Sequence, residues 1–129
     1  MRYLRGEAIL IIHSEIIDTS GGRHGVRDVG LLGSIIHKPQ LVLDGQEQYP
    51  TIHDKAAVYM ETFAHFHVFN DGNKRTGLVT AARFLFINGW EFKASNQAAE
   101  QFIMDVATKK SIDLMAISIW LKQNSKKLK

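Results

Sequence analysis

His67-Val68-Phe69-Asn70-Asp71-Gly72-Asn73-Lys74-Arg75-Thr76 joins two stretches of helical periodicity. Before it, Ala57, Tyr59, Met60, Phe63 and Ala64 lead from a start near Thr51 or His53 to about Phe66. After it, Leu78, Ala81, Ala82, Leu85 and Phe86 recur at the spacing of a helix that buries one face. That second helix is predicted from about Asn73 to Asn88-Gly89, where a glycine suits the C-terminal cap. As the most apolar helix of the chain, it is expected at the centre of the fold. A linker between two such helices rarely needs a histidine, an acid, a Gly-Asn pair and two cations, so this segment bears on both the fold and the chemistry.

Working outward, a first helix is predicted over about Leu4 to Ile17, with Leu4, Ala8, Ile11, Ile12 and Ile16 as one face and Ser20-Gly21-Gly22 as its end. Asp28 can cap a short second helix that carries Leu31, Leu32, Ile35 and Ile36 up to Pro39. From Leu41 to Pro50 the periodicity stops, and Asp44-Gly45 between apolar residues suits a hairpin turn, giving a loop or flap. Two amphipathic helices close the chain, one from about Asn96 to Lys109 around Phe102 and Val106, the other from Ser111 around Leu114, Ile117, Trp120 and Leu121. Trp90 and Trp120 read as packing residues of the core or its rim. With two prolines and no long alternating run, the expectation is an all-α, compact, single-domain helical bundle over residues 1–121, with a short flap before the central motif. Residues 122–129 read as a basic, frayed and solvated tail.

The 129 residues, 45% of them apolar, suffice for one core. The absence of cysteine excludes a disulfide framework and a thiolate zinc site. The longest apolar run, Ala8 to Ile12, is far short of the ~20 residues of a membrane span. Met1 to Glu7 has no secretory pattern, so a soluble cytoplasmic protein is expected. The net charge of +3 is concentrated at the tail, which a solvated end explains before nucleic-acid binding does.

Within the central segment, Gly72 permits a tight turn, and the first amides of the next helix, from Asn73 to Thr76, lack intrahelical partners. Those amides and the positive end of the helix dipole form an anion site that Lys74 and Arg75 reinforce, so phosphate is the natural guest. Asp71 just before it can hold magnesium together with phosphate oxygens, and can also cap the helix. His67, at the end of the preceding helix, can take a proton from an attacking hydroxyl, whereas an isolated histidine there would read as a helix cap. Phe69 is the anchor whose burial would hold His67 and Asp71 outward. His65 lies two residues from His67 and points elsewhere on a helix, and His13, His24, His37 and His53 are assigned no site.

His67-x-Phe69-x-Asp71-Gly72-Asn73-Lys74-Arg75 resembles the signature of the Fic/Doc superfamily, closest to its death-on-curing toxin branch. Ile11-Ile12-His13-Ser14-Glu15, Gly21-Gly22, Gly25-Val26-Arg27-Asp28, Gly30-Leu31-Leu32 and Lys38-Pro39-Gln40 are similar to the N-terminal half of that branch. The resemblance implies that His67 is the catalytic base, that Asp71 binds magnesium and that Gly72, Asn73, Lys74 and Arg75 hold the phosphates of ATP. AMP-transferring members usually read Gly-Asn-Gly-Arg where this chain has Gly72-Asn73-Lys74-Arg75. Lysine at that place implies a reversed nucleotide and kinase activity toward a Ser or Thr hydroxyl of a translation factor of the elongation factor Tu type, inhibiting translation. AMP transfer and a binding-only module are the alternatives. Val79 stands where some members of the branch have asparagine. No glutamate has Ser or Thr four positions before it, the inhibitory pattern of many Fic proteins. The resemblance therefore implies restraint by a separate antitoxin, whose disordered segment folds as a helix in an apolar groove. The flap is either an ordinary loop or a dock for the target's peptide by edge pairing.

Overall fold

In the computed structural model, which describes residues 1–128, four helices start on a side chain that accepts a backbone N–H. Asp28 caps α2 (Val29–His37), Thr51 caps α3 (Ile52–His65) in a reciprocal box with Asp54, Ser95 caps α5 (Asn96–Thr108) and Asp113 caps α6 (Leu114–Gln123). Such caps satisfy amides that have no partner inside the helix. The helices α1 (Gly6–Ser20) and α4 (Asn73–Ile87) begin with no side-chain cap. A 3-10 turn over Lys38–Gln40 follows α2, and no helix among the described residues is long and apolar enough to cross a membrane.

The all-α expectation holds, and α3 is its hub. Nine of its residues are buried, against six of α4, which corrects the expectation that α4 is central. The α4 helix is no more apolar than α3, and α3 is covered on several sides, by α4, α5 and α6, while α4 keeps an outer face with Phe86 exposed. The buried stripe of α4 is Thr76, Gly77, Thr80, Ala81, Phe84 and Leu85, turned from the predicted one. Its pivot is Gly77, where a β-carbon would come within 3.0 Å of the Phe63 β-carbon, so the two helices cross too closely for a side chain. In α1 the buried line is Ile9, His13 and Ile17, and Ile11, predicted inward, is exposed.

The flap is a hairpin of β1 (Val42–Leu43) and β2 (Gln46–Glu47), turned by Asp44 and Gly45 with both φ angles positive, at 51° and 76°. Lys55 of α3, 1% exposed, ties it down. Its Nζ donates to the Pro39 carbonyl at 2.9 Å and to Glu47 Oε1 at 3.0 Å. A lysine is rarely buried unless paired, and here the pairing fixes β2 and the 3-10 turn against the core.

The predicted frayed tail is instead largely ordered. Ser125–Lys127 forms β4, antiparallel to β3 (Trp90–Phe92), with Glu91 opposite Lys126. Lys129 of that predicted tail lies outside the described residues. Three-residue strands leave no periodicity to read, and the pairing exists only because α6 returns the chain beside Gly89. His53, buried, bonds Ser125 Oγ at 2.9 Å and meets Trp90 edge-on.

Burial lowers the pKa of His53 below its ordinary 6.5, with Lys122 adding to the effect and Asp54 opposing it. The fold therefore holds the neutral ring, the unfolded chain takes up the proton first, and the contribution present above pH 6.5 is lost as the pH falls through the lowered value. The Tm gap between the wild type and His53→Gln is expected to narrow as the buffer is taken from about pH 7.5 to about pH 5. A gap constant over that range would rule this out.

Candidate active site

Phe66 ends α3, and the chain then runs extended into a loop built on Phe69. Phe69 and Val68 are wholly buried, as the anchor reading requires. The Phe69 ring stacks on His13 at 3.7 Å between centroids and lies parallel to Phe63 at 6.0 Å. Asn73 clamps the same residue twice, accepting from Phe69 N and donating to Phe69 O, each at 2.9 Å. Gly72 then turns the chain into α4 with φ of 77°, a left-handed conformation that disfavours a β-carbon. His67 is exposed, in the loop just beyond the cap rather than on the helix.

Residues 21–28 brace this loop from outside. Arg27 N and Asp28 N donate to Val68 O, Asn70 N donates to Gly25 O, and Val26 bridges Phe69. Asn70 Nδ2 adds a bond to His24 O. The Gly-rich stretch that marked a resemblance is thus the support of the motif. His13, assigned no site from the sequence, is part of it: Nε2 lies 2.7 Å from Asp71 O, and because a carbonyl only accepts, Nε2 carries the proton. Its position four residues from both Ile9 and Ile17, on the buried line of α1, is the signal that finds it.

Asp71 does not cap α4, since Gly72 occupies the cap position. Arg23 N donates to Asp71 Oδ2 at 2.7 Å, and Arg23 Nε lies 3.5 Å from the same oxygen. Both contacts fall on Oδ2. Among the described residues no group of three His, Cys, Asp or Glu can hold a metal. A lone carboxylate with one oxygen turned from Arg23 suits a magnesium ion that arrives with phosphate oxygens, not an all-protein cage.

The uncapped start of α4 opens on two cavities. One, about 150 Å³, has His67 and Asp71 in its wall. The other, about 330 Å³, is walled by Ile16, Ser20, Gly21 and Arg75. Gly72, Asn73 and Lys74 line both. The predicted phosphate residues are therefore together, with one difference in role. Arg75 turns aside, its guanidinium donating to Ser20 Oγ at 2.6 Å and to Glu100 Oε1 at 2.9 Å, while Lys74 makes no ion pair among the described residues. Arg75 starts one residue further round the helix than Lys74, which aims it at α1 and α5.

The sequence pattern of the Fic/DOC family matches residues 3–85, which span the brace, the flap, the loop and nearly all of α4. The chain is 41% identical over 91 residues to a protein named Toxin Doc from Mycolicibacterium smegmatis, covering 69% of this chain and 70% of that one. It is 33% identical over 100 residues to a protein named Protein kinase doc from Escherichia phage P1, covering 78% of this chain and 79% of that one.

The Asn73 clamp satisfies a buried amide, so Asn73→Ala is expected to cost about 1 to 3 kcal/mol in denaturant unfolding, whereas Lys74→Ala costs under about 1 kcal/mol. Equal losses would mean that Asn73 does not hold the loop.

Proposed function

The chain belongs to the Fic/DOC family, and from that premise we propose that it is a Doc-type toxin, an ATP-dependent kinase that phosphorylates a Ser or Thr hydroxyl of a target protein. The names of its relatives, one a toxin and one a protein kinase, support this reading. The observation that supports it is that Gly72, Asn73 and Lys74, the proposed phosphate ligands, line one cavity together with exposed His67 and continue into the next. A translation factor of the elongation factor Tu type is the proposed target, and the cytoplasm the proposed place of action.

His67 takes the proton of the attacking hydroxyl. The hydroxyl oxygen bonds to the γ-phosphorus, the bond from that phosphorus to the bridging oxygen breaks, and ADP leaves with the electron pair. Lys74 and the first amides of α4 offset charge on the phosphates, and Phe69 and Asn73 keep His67 and Asp71 in fixed relation. Magnesium bound through Asp71 and phosphate oxygens would supply further charge neutralisation. Arg75, held by Ser20 and Glu100, lines the larger of the two cavities at the start of α4.

A toxin of this kind needs a separate inhibitor. An open groove of about 440 Å³ between α1 and α4, with Ala8, Ile11, Ile12 and Val79 as apolar walls and Glu15 and Arg83 at its rim, supports an antitoxin segment that binds as an amphipathic helix.

ATP labelled on its α or its γ phosphate, incubated with the purified protein and elongation factor Tu, separates the chemistries. The expected result is γ-label on the target, reduced by about 10²- to 10⁴-fold in His67→Ala. Label from the α position would replace the kinase reading by AMP transfer. In host cells the wild type is expected to arrest growth and His67→Ala to be harmless; equal effects of the two would leave only a binding protein.

A further inference from the structure

We propose that Ser20, the last residue of α1, is a phosphorylation site whose phosphate fills the anion cavity at the start of α4 and closes it to ATP. This rests on the phosphate site of the proposed function and adds a means of regulating it.

Ser20 lines the cavity of about 330 Å³ together with Gly72, Asn73, Lys74 and Arg75. Its Oγ accepts from Arg75 Nη1 at 2.6 Å, which leaves the hydroxyl proton for a base to take. A phosphoryl group on Oγ extends from that same atom, so its oxygens meet a guanidinium already in place, and arginine pairs with phosphate through parallel N–H donors. A phosphoserine carries a charge of about −1.5 to −2 at neutral pH, more than one cation offsets. Arg75 also serves Glu100, which accepts from its Nη2 at 2.9 Å. Lys74, in the same wall and without an ion pair among the described residues, supplies the remaining positive charge.

The two helix ends that meet here set the direction of the group. The last turn of α1 holds no basic residue, so its negative end repels a phosphate, while the uncapped start of α4 attracts one. The group therefore turns toward Gly72, Asn73 and Lys74. Ser20 is exposed, and a β-carbon at Gly21, which follows it, would meet no atom beyond its chain neighbours within 4 Å, so a modifying enzyme can reach the hydroxyl. A chain does not modify its own Ser20, because His67 does not line the cavity of Ser20, nor Ser20 that of His67. The catalyst is a second molecule, either another copy of this chain or a separate kinase. Ser20 Oγ bonds to the γ-phosphorus of ATP held by that molecule, and the bond from that phosphorus to the bridging oxygen breaks. ADP leaves with the electron pair, and the hydroxyl proton passes to that molecule's base.

Phosphoserine incorporated at position 20 of the full chain tests the closure, with the unmodified wild type as reference. The phosphorylated chain is expected to keep its circular dichroism and to bind inorganic triphosphate and ATP at least about tenfold more weakly than the reference. Unchanged binding, or loss of the fold, overturns the proposal, because the phosphate then has no place at the start of α4. Phosphopeptide mapping tests the modification and separates its sources. Phosphate on Ser20 of the wild type after incubation with ATP and magnesium identifies another copy of this chain as the catalyst. Phosphate on Ser20 of His67→Ala after addition of ATP and host-cell extract identifies a separate kinase. Phosphate on Ser20 in neither overturns it as a modification site. Failure of the reference to bind triphosphate overturns the phosphate site of the proposed function and with it the closure, while the mapping still decides whether Ser20 is modified.

Discussion

The burial of one aromatic ring organises the site. Phe69 stacks on His13 and lies parallel to Phe63 with no exposure to solvent, and the loop that carries His67 and Asp71 is built around it. Burying a phenyl ring favours the fold by about 1.5 to 3 kcal/mol, but the backbone that carries it inward brings its own N–H and C=O out of water. Asn73 satisfies both with one amide side chain. With the ring and its backbone fixed, His67 two residues before and Asp71 two residues after have little freedom to move apart.

A second constraint is what α4 lacks. Four helices of this domain begin on a side-chain cap, and the helix that starts at the motif begins on a left-handed glycine. A glycine at the cap, in place of a capping side chain, forgoes only roughly a few tenths of a kcal/mol of local stability. It leaves amides pointing at the shared wall of two cavities, where an anion can take the place of the missing cap. Stability lost at that end is recovered behind it, where Gly77 lets α4 close on α3 and residues 21–28 hydrogen-bond the loop from outside. The site is thus a helix end with its partners withheld, held rigid by neighbours.

The helices, the flap turn and the burial of Phe69 were legible in the sequence because each depends on residues close together in the chain. Asp28 beside a run of apolar residues is a cap wherever it lies, and Asp44-Gly45 turns a hairpin by its own backbone preferences. Faces were less legible than elements. The stripes of α1 and α4 came out rotated, because both helices have more apolar positions than their neighbours cover, and only packing decides which are left outside. Lys55 is the extreme case: a charged residue at a buried position of α3, acceptable only because Pro39 and Glu47 meet it there.

Sequence by itself determined the helical class, the flap, and the cluster of His67, Phe69, Asp71, Gly72, Asn73, Lys74 and Arg75, since spacing of a few residues and the properties of a helix end suffice for those. Tertiary structure alone decided that His13 supports the loop, that Arg23 holds one oxygen of Asp71, that Arg75 turns to Ser20 and Glu100, and that the basic tail becomes a strand beside Trp90–Phe92. Each of those is a contact between residues far apart in the chain. A hydrogen bond or a strand pairing of that kind exists only when packing brings both partners to one place, and no local pattern encodes where the chain returns.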